Sequence, residues 1–197
     1  MHAPLDEGMH LTRRQDEILN LLEAIFREQG FRKLTIGGLA DQLSCSRSTL
    51  YAIAPTKEEL FLLVADRLLR KTGDAGEERA AQADNPADAL QGYLEGTVSR
   101  FSTVKTPFIA DALSYGPART LYETHQRGFV LRLRIFVEEA QATGQFTGVD
   151  SLIAAEALDA AMTRVRDPNF LRRHRKTASE AFEQVCALFR RGLDRRE

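Results

Sequence analysis

Apolar residues in this chain recur at three- and four-residue intervals almost from end to end, and hardly anywhere in alternation. Ile18, Leu21, Leu22, Ile25 and Phe26 fall at i, i+3, i+4, i+7 and i+8, which puts them on one face of a helix. No stretch sustains the period of two that a half-buried strand requires, so the pattern confines the chain to an all-α fold. Capping chemistry then cuts the first sixty residues into short pieces. A first helix runs from about Thr12 to Gln29, and Gly30 is suited to end it in a left-handed conformation. Thr35 can cap a second helix with Ile36, Leu39, Ala40 and Leu43 facing inward. Ser44 and Cys45 form a tight turn, after which Ser46 caps a very short third helix ending before Pro55. Thr56 and Glu59 make a capping box that starts a fourth helix, continuing to about Lys71.

Beyond that point Gly73–Asn85 holds no large apolar residue and reads as a linker. Pro86 opens a helix to about Ser102, because proline is tolerated in a first turn. A short element follows Pro107. A long helix from about Pro117 to Ala142 closes at Gly144, and two more span about Ser151–Val165 and Thr177–Leu193. The predicted layout is a flexible arm over 1–10, a three-helix domain over 11–56, a connecting helix over 57–72, the linker over 73–85 and a larger helical bundle over 86–197.

Several function classes lack their signals. No apolar run approaches the roughly 18 residues that cross a membrane. The opening Met1–Met9 is polar and acidic, unlike a secretory signal, so the expected location is cytoplasmic. Cys45 and Cys186 are far apart, form no metal or redox motif, and read as small core hydrophobes. His2, His10, His125 and His174 have no metal-ligand spacing, and no Gly-x-Ser-x-Gly nucleophile motif occurs. The expectation is a protein that is not an enzyme and uses no metal or cofactor.

The third helix carries the most informative chemistry. Packing of the second and third helices uses Ala40, Cys45 and Leu50, which leaves Arg47, Ser48, Thr49 and Tyr51 pointing outward. All four can hydrogen-bond to base edges or phosphates, as a helix entering the major groove must. Residues 18–60 resemble the tetracycline-repressor (TetR) family of bacterial regulators. The carriers are Ile18…Ala24-Ile25-Phe26-Arg27-Glu28-Gln29-Gly30-Phe31…Leu34-Thr35-Ile36-Gly37-Gly38-Leu39-Ala40, then Ser46-Arg47-Ser48-Thr49-Leu50-Tyr51, then Pro55-Thr56-Lys57-Glu58-Glu59-Leu60. The resemblance implies an N-terminal helix-turn-helix DNA-binding domain followed by a ligand-binding and dimerisation bundle. It implies phosphate contact at Thr35, base reading by Arg47 and Ser48, and backbone contacts at Thr49, Tyr51 and Lys57, with Ser46 capping the reading helix. Arg13 and Arg14, preceding the body of the first helix, are placed to reach a phosphate or the minor groove. Two positions depart from the family: Ile53 stands where a His or Tyr is usual, and Ala54 where a Phe is usual. The first removes a phosphate contact. The second opens a hole behind the third helix unless Phe61 or Phe31 fills it.

Net charge is −1, and acids balance bases from Leu11 to Leu60, so DNA affinity is expected to be modest and salt-dependent. In the larger bundle, Ala154, Leu158, Ala161 and Val165 of one helix and Phe182, Val185 and Phe189 of the last form apolar stripes. By the resemblance these are expected to pair two subunits, giving a homodimer matched to a palindromic operator. An effector pocket is expected among Gly92, Gly96, Phe101, Phe108, Tyr115, Tyr122, His125, Phe129 and Met162, for an apolar or aromatic small molecule. The basic segment Arg164–Lys176 reads as a solvated loop at the dimer edge or a second nucleic-acid or acidic-partner surface. The whole predicts a ligand-responsive repressor; the alternative is a protein-interaction module with a weakened DNA-binding head.

Overall fold

A computed structural model describes residues 11–165 and 167–193. Among them are ten α-helices: α1 (Arg13–Gln29), α2 (Ile36–Gln42), α3 (Arg47–Tyr51), α4 (Lys57–Ala80), α5 (Pro86–Phe101), α6 (Thr106–Ser114), α7 (Gly116–Ala142), α8 (Ser151–Val165), α9 (Pro168–His174) and α10 (Ala178–Leu193). The expected arm over 1–10 lies outside the described residues. The chain forms two compact units, one from residues 11–70 and Thr103–His125, the other from Lys71–Ser102 and the residues from Gln126 onward. Helices α4 and α7 each belong partly to both.

In the first unit the starts of α1 to α4 are fixed by side-chain caps. The Thr12 hydroxyl accepts from the Gln15 amide at 3.2 Å while the Gln15 side chain accepts from the Thr12 amide at 2.8 Å, a reciprocal box. Thr35 accepts from the Gly38 amide and Ser46 from the Thr49 amide, each at 3.1 Å. At the start of α4 the Thr56 hydroxyl accepts from the Glu59 amide at 3.1 Å and donates to the Glu59 carboxylate at 2.8 Å, so the cap forms without the reciprocal backbone bond of a full box. Gly30 ends α1 at φ +70°. Ile18, Leu22, Phe26, Leu39, Leu50, Leu60, Phe61 and Val64 are fully buried. Leu50 is the one buried residue of α3, so its burial, worth about 1.5–3 kcal/mol, anchors that short helix.

Helix α6 joins this unit from eighty residues away by packing on α1. Asp111 Oδ2 accepts from the backbone amides of Phe31 at 2.7 Å and Arg32 at 3.0 Å. The corner can come this close only because residue 30 is glycine: a Cβ there would lie 2.3 Å from the same oxygen. Ile53 and Ala54 are both buried. Phe31 stacks on Phe61 with centroids 4.2 Å apart, and Phe26 and Phe108 also pack on Phe61.

The second unit has its own core, with Leu133, Phe136, Ala140, Phe146, Ala155, Leu158 and Met162 among the most buried residues. Two elements differ from the sequence expectation. Residues 73–80, expected as linker, continue α4 to Ala80. Their small side chains let α5 approach: a Cβ on Gly96 would meet the Ala75 carbonyl oxygen at 2.1 Å, and one on Gly76 would meet the Tyr93 ring at 2.7 Å. The basic stretch before α10 is also not wholly loop. Asp167 accepts from the Asn169 amide at 2.8 Å and Pro168 opens the seven-residue α9.

Candidate nucleic-acid interface

The residues expected to read DNA lie around α2, α3 and the start of α4. Ser46, Arg47, Ser48 and Tyr51 are exposed, with Tyr51 at 52%. Thr49 is half-buried. The Ser46 hydroxyl lies 2.7 Å from that of Ser48 and 2.8 Å from that of Thr49, a compact polar tip at the start of α3. Cys45 is half-buried in the preceding turn, where Ser44 takes a left-handed φ of +48°. Thr35 is exposed at the start of α2.

Arg47 does not extend freely. A Cβ on Gly37 would lie 2.8 Å from its Nη2 and 3.3 Å from its Cζ, so the guanidinium rests on the first turn of α2. Sequence reasoning missed Gly37. The signal was available, since two glycines in the first turn of a helix are costly without a packing reason.

Lys57 is half-buried and its ammonium donates to the carbonyls of Leu34 at 2.9 Å and Arg32 at 3.3 Å, 5.4 Å from the Phe31 ring centre. It therefore ties the start of α4 to the corner between α1 and α2. Arg13 and Arg14 form the first turn of α1 and both reach Glu17, at 3.3 and 3.4 Å. Such exposed pairs are weak, so they yield readily to a phosphate.

The residues expected to line an effector pocket are divided between the units. Phe108, Tyr115, Tyr122 and His125 belong to the first; Gly92, Gly96, Phe101, Phe129 and Met162 belong to the second. Phe108 packs on Phe61, and Tyr115 lies 5.8 Å from the Phe31 ring, its phenol pushed up by burial and then by Glu58 and Glu59. His125 Nε2 lies 3.1 Å from the buried carboxylate of Asp66, which also receives Arg70 at 3.0 Å. Gly92 and Gly96 lie against the α4 backbone at Arg79 and Ala75, so helix packing accounts for them rather than room for a ligand. Phe129 stacks on Tyr93 and Met162 is fully buried.

The expected dimer residues are likewise mixed. Ala154, Leu158, Val165 and Phe182 are buried within the single chain, because helical period turns them toward its own core. Ala161, Val185 and Phe189 are half-buried. Among the described residues the large apolar side chains that α8 and α10 leave exposed are instead Leu152, Ile153 and Leu188, the last two at 64% and 69%. Cys186 is also half-buried on α10, and burial pushes its thiol up to about 11. In the basic stretch Arg164 pairs with Asp167 at 2.7 Å, while Arg173, Arg175 and Lys176 are exposed; Arg166 lies outside the described residues.

Among the described residues no cluster of His, Cys, Asp and Glu could hold a metal ion, and no helix is long and apolar enough to cross a membrane. Comparison with known proteins agrees with the geometry of the first unit. The family model described as bacterial regulatory proteins, tetR family, matches residues 18–64. A Bacillus subtilis (strain 168) protein named as an uncharacterized HTH-type transcriptional regulator, YfiR, is 24% identical over 149 residues, covering 73% of each chain. Among solved structures, a TetR transcription regulator from Haloarcula marismortui superposes with a TM-score of 0.78 at 18% identity, covering 94% of this chain and 100% of that one. A putative transcriptional regulator from Saccharomonospora viridis in complex with choline gives 0.73 at 14% identity, covering 92% and 97%. These structures share the fold. The family and these relatives are transcriptional regulators, not enzymes.

Proposed function

We propose that this chain, which carries the helix-turn-helix domain of the tetR family of bacterial regulatory proteins, binds a palindromic operator as a homodimer and lets go of it, or tightens on it, in response to a small molecule. The observation that carries the DNA reading is α3 itself: a capped helix held by one buried leucine, with Arg47, Ser48 and Tyr51 all outward. In this reading Arg47 and Ser48 meet base edges, while Thr35, Ser46, Thr49, Tyr51, Arg13 and Arg14 meet the backbone. Lys57 acts chiefly by holding the corner between α1 and α2 and adds charge near a phosphate. Buried Ile53 supplies no phosphate contact, so affinity is modest, and the remaining phosphate contacts make it salt-dependent.

Dimerisation through α8 and α10 is supported by the apolar side chains those helices leave uncovered at Ile153 and Leu188, together with half-buried Ala161, Val185 and Phe189 on the same two helices. A twofold pair of heads suits a palindromic site. Ligand response is supported by analogy with the choline-bound relative of the same fold. A ligand moves such an equilibrium only by the difference in its affinity for two arrangements of the protein.

The test is selection of duplexes from a randomised library at low salt, followed by binding assays on the selected duplex. The wild-type chain enriches an inverted repeat, and Tyr51→Ala with Lys57→Ala weakens binding at least tenfold across sequences. Enrichment of no duplex would favour the protein-interaction alternative, and unchanged affinity in the double variant would overturn the docking assignment.

A further inference from the structure

The most exacting unused group in the second unit is a carboxylate on α8. Asp159 is buried, at 8% exposure. Its Oδ2 accepts from Gln126 Nε2 of α7 at 2.7 Å, and the same amide nitrogen lies 3.2 Å from Thr163 Oγ1, one turn further along α8. Thr163 and Gln126 thus hold the carboxylate in one orientation. Its other oxygen, Oδ1, is buried and meets no donor. Buried polar atoms are nearly always paired, and a carboxylate oxygen is among the costliest to leave without a donor. A core that only needed to pack would be served better by an apolar side chain at this position.

The surroundings narrow what the missing donor is. Phe129 lies one turn along α7 from Gln126, on the same helical face, and stacks on Tyr93 with centroids 5.6 Å apart. Met162 lies one turn along α8 from Asp159 and is fully buried. A buried carboxylate oxygen one helical turn from a thioether, held by an amide one helical turn from an aromatic ring, matches a cation with an apolar body, whose charge pairs with the oxygen and whose carbons meet the apolar groups.

We propose that Asp159, oriented by Gln126 and Thr163, anchors an organic cation, a substituted amine or quaternary ammonium, between α7 and α8. This rests on the ligand-responsive reading above and names its ligand class. Because Oδ1 is covered in this structure, a cation reaches it only once the side chains or helices that cover it shift. Such a ligand binds one arrangement better than the other, which is the requirement for an effector.

The probe is benzyltrimethylammonium, with its neutral carbon isostere neopentylbenzene as control, titrated calorimetrically into the full chain. Wild type binds the cation at least tenfold more tightly than the isostere, and Asp159→Asn loses at least tenfold of the cation affinity. No binding of the cation, equal affinity for the two probes, or an unaffected Asp159→Asn protein would each overturn the proposal. The two-probe comparison needs only the wild-type chain, so it decides the matter even if the variant fails to fold. Gel shifts on a library-selected duplex separate the two levels: DNA binding with no cation binding overturns this assignment alone, whereas no DNA binding overturns the regulator reading.

Discussion

Replacing Gly96 by alanine adds one methyl group to a helix, and the structure fixes the sign of the result. In isolation the change favours the helix by about 1 kcal/mol, since glycine is the costlier residue in a helix interior. Here the added Cβ would lie 2.1 Å from the Ala75 carbonyl oxygen, 2.7 Å from the Ala75 carbonyl carbon and 2.9 Å from the Gly76 Cα. All three are main-chain atoms, so no side chain can swing away; α5 must move off α4 as a body. Overpacking costs about 1–3 kcal/mol, and because only main chain lies in the way the upper part of that range, about 2–3 kcal/mol, applies. The net expectation is a loss of about 1–2 kcal/mol, or a fall in Tm of about 2–8 °C for a chain of this size. Gly128→Ala is the matched control. It is the same chemical change in α7, with nothing within 4 Å of the new Cβ, so only the helix preference acts. Its Tm should rise by about 2–4 °C. Both are read from thermal and urea unfolding followed by circular dichroism at the helix band. A Gly96→Ala protein as stable as wild type would refute the close crossing of α4 and α5.

Three further outcomes follow from single residues. Ser44→Gly should stabilise the chain by about 0.5–1 kcal/mol in urea unfolding, because φ at this position is +48° and a side chain is strained there. Asp111→Ala should cost about 1.5–3 kcal/mol by removing a charged acceptor from the Phe31 and Arg32 amides, and those two amides should exchange hydrogen faster. Cys186, whose thiol burial raises to about 11, should alkylate at pH 8 far more slowly than in the urea-unfolded chain; that protection should fade as pH rises toward 11, where the folded thiol ionises, and equal rates at pH 8 would contradict the burial.

What could be read from the sequence was whatever is decided locally. Thr12, Thr35, Ser46 and Thr56 sit next to the helices they cap, so their roles are visible within four residues. The extension of α4 to Ala80 was not visible, because Gly73, Ala75 and Gly76 look like linker composition until α5 packs against them. Helix α9 was missed although Asp167-Pro168 is a legible start signal; the run of arginines around it drew the reading toward solvent. The stripe on α8 was assigned outward where Ala154 and Leu158 face inward, since a helix apolar on two sides does not reveal which side its own chain covers. Asp111 gave no sign of its partners, because they lie eighty residues upstream.

The discontinuous make-up of the first unit bears on how this chain can be cut and recombined. Residues 11–70 are completed by Thr103–His125, which supply Asp111 to the corner at Phe31 and Phe108 to the ring of Phe61. A fragment ended at residue 56 would leave out Phe61 itself as well as both of these partners. A chimera that transplants the reading head onto another scaffold must therefore carry α6 along with it, or rebuild a carboxylate and an aromatic in the same places.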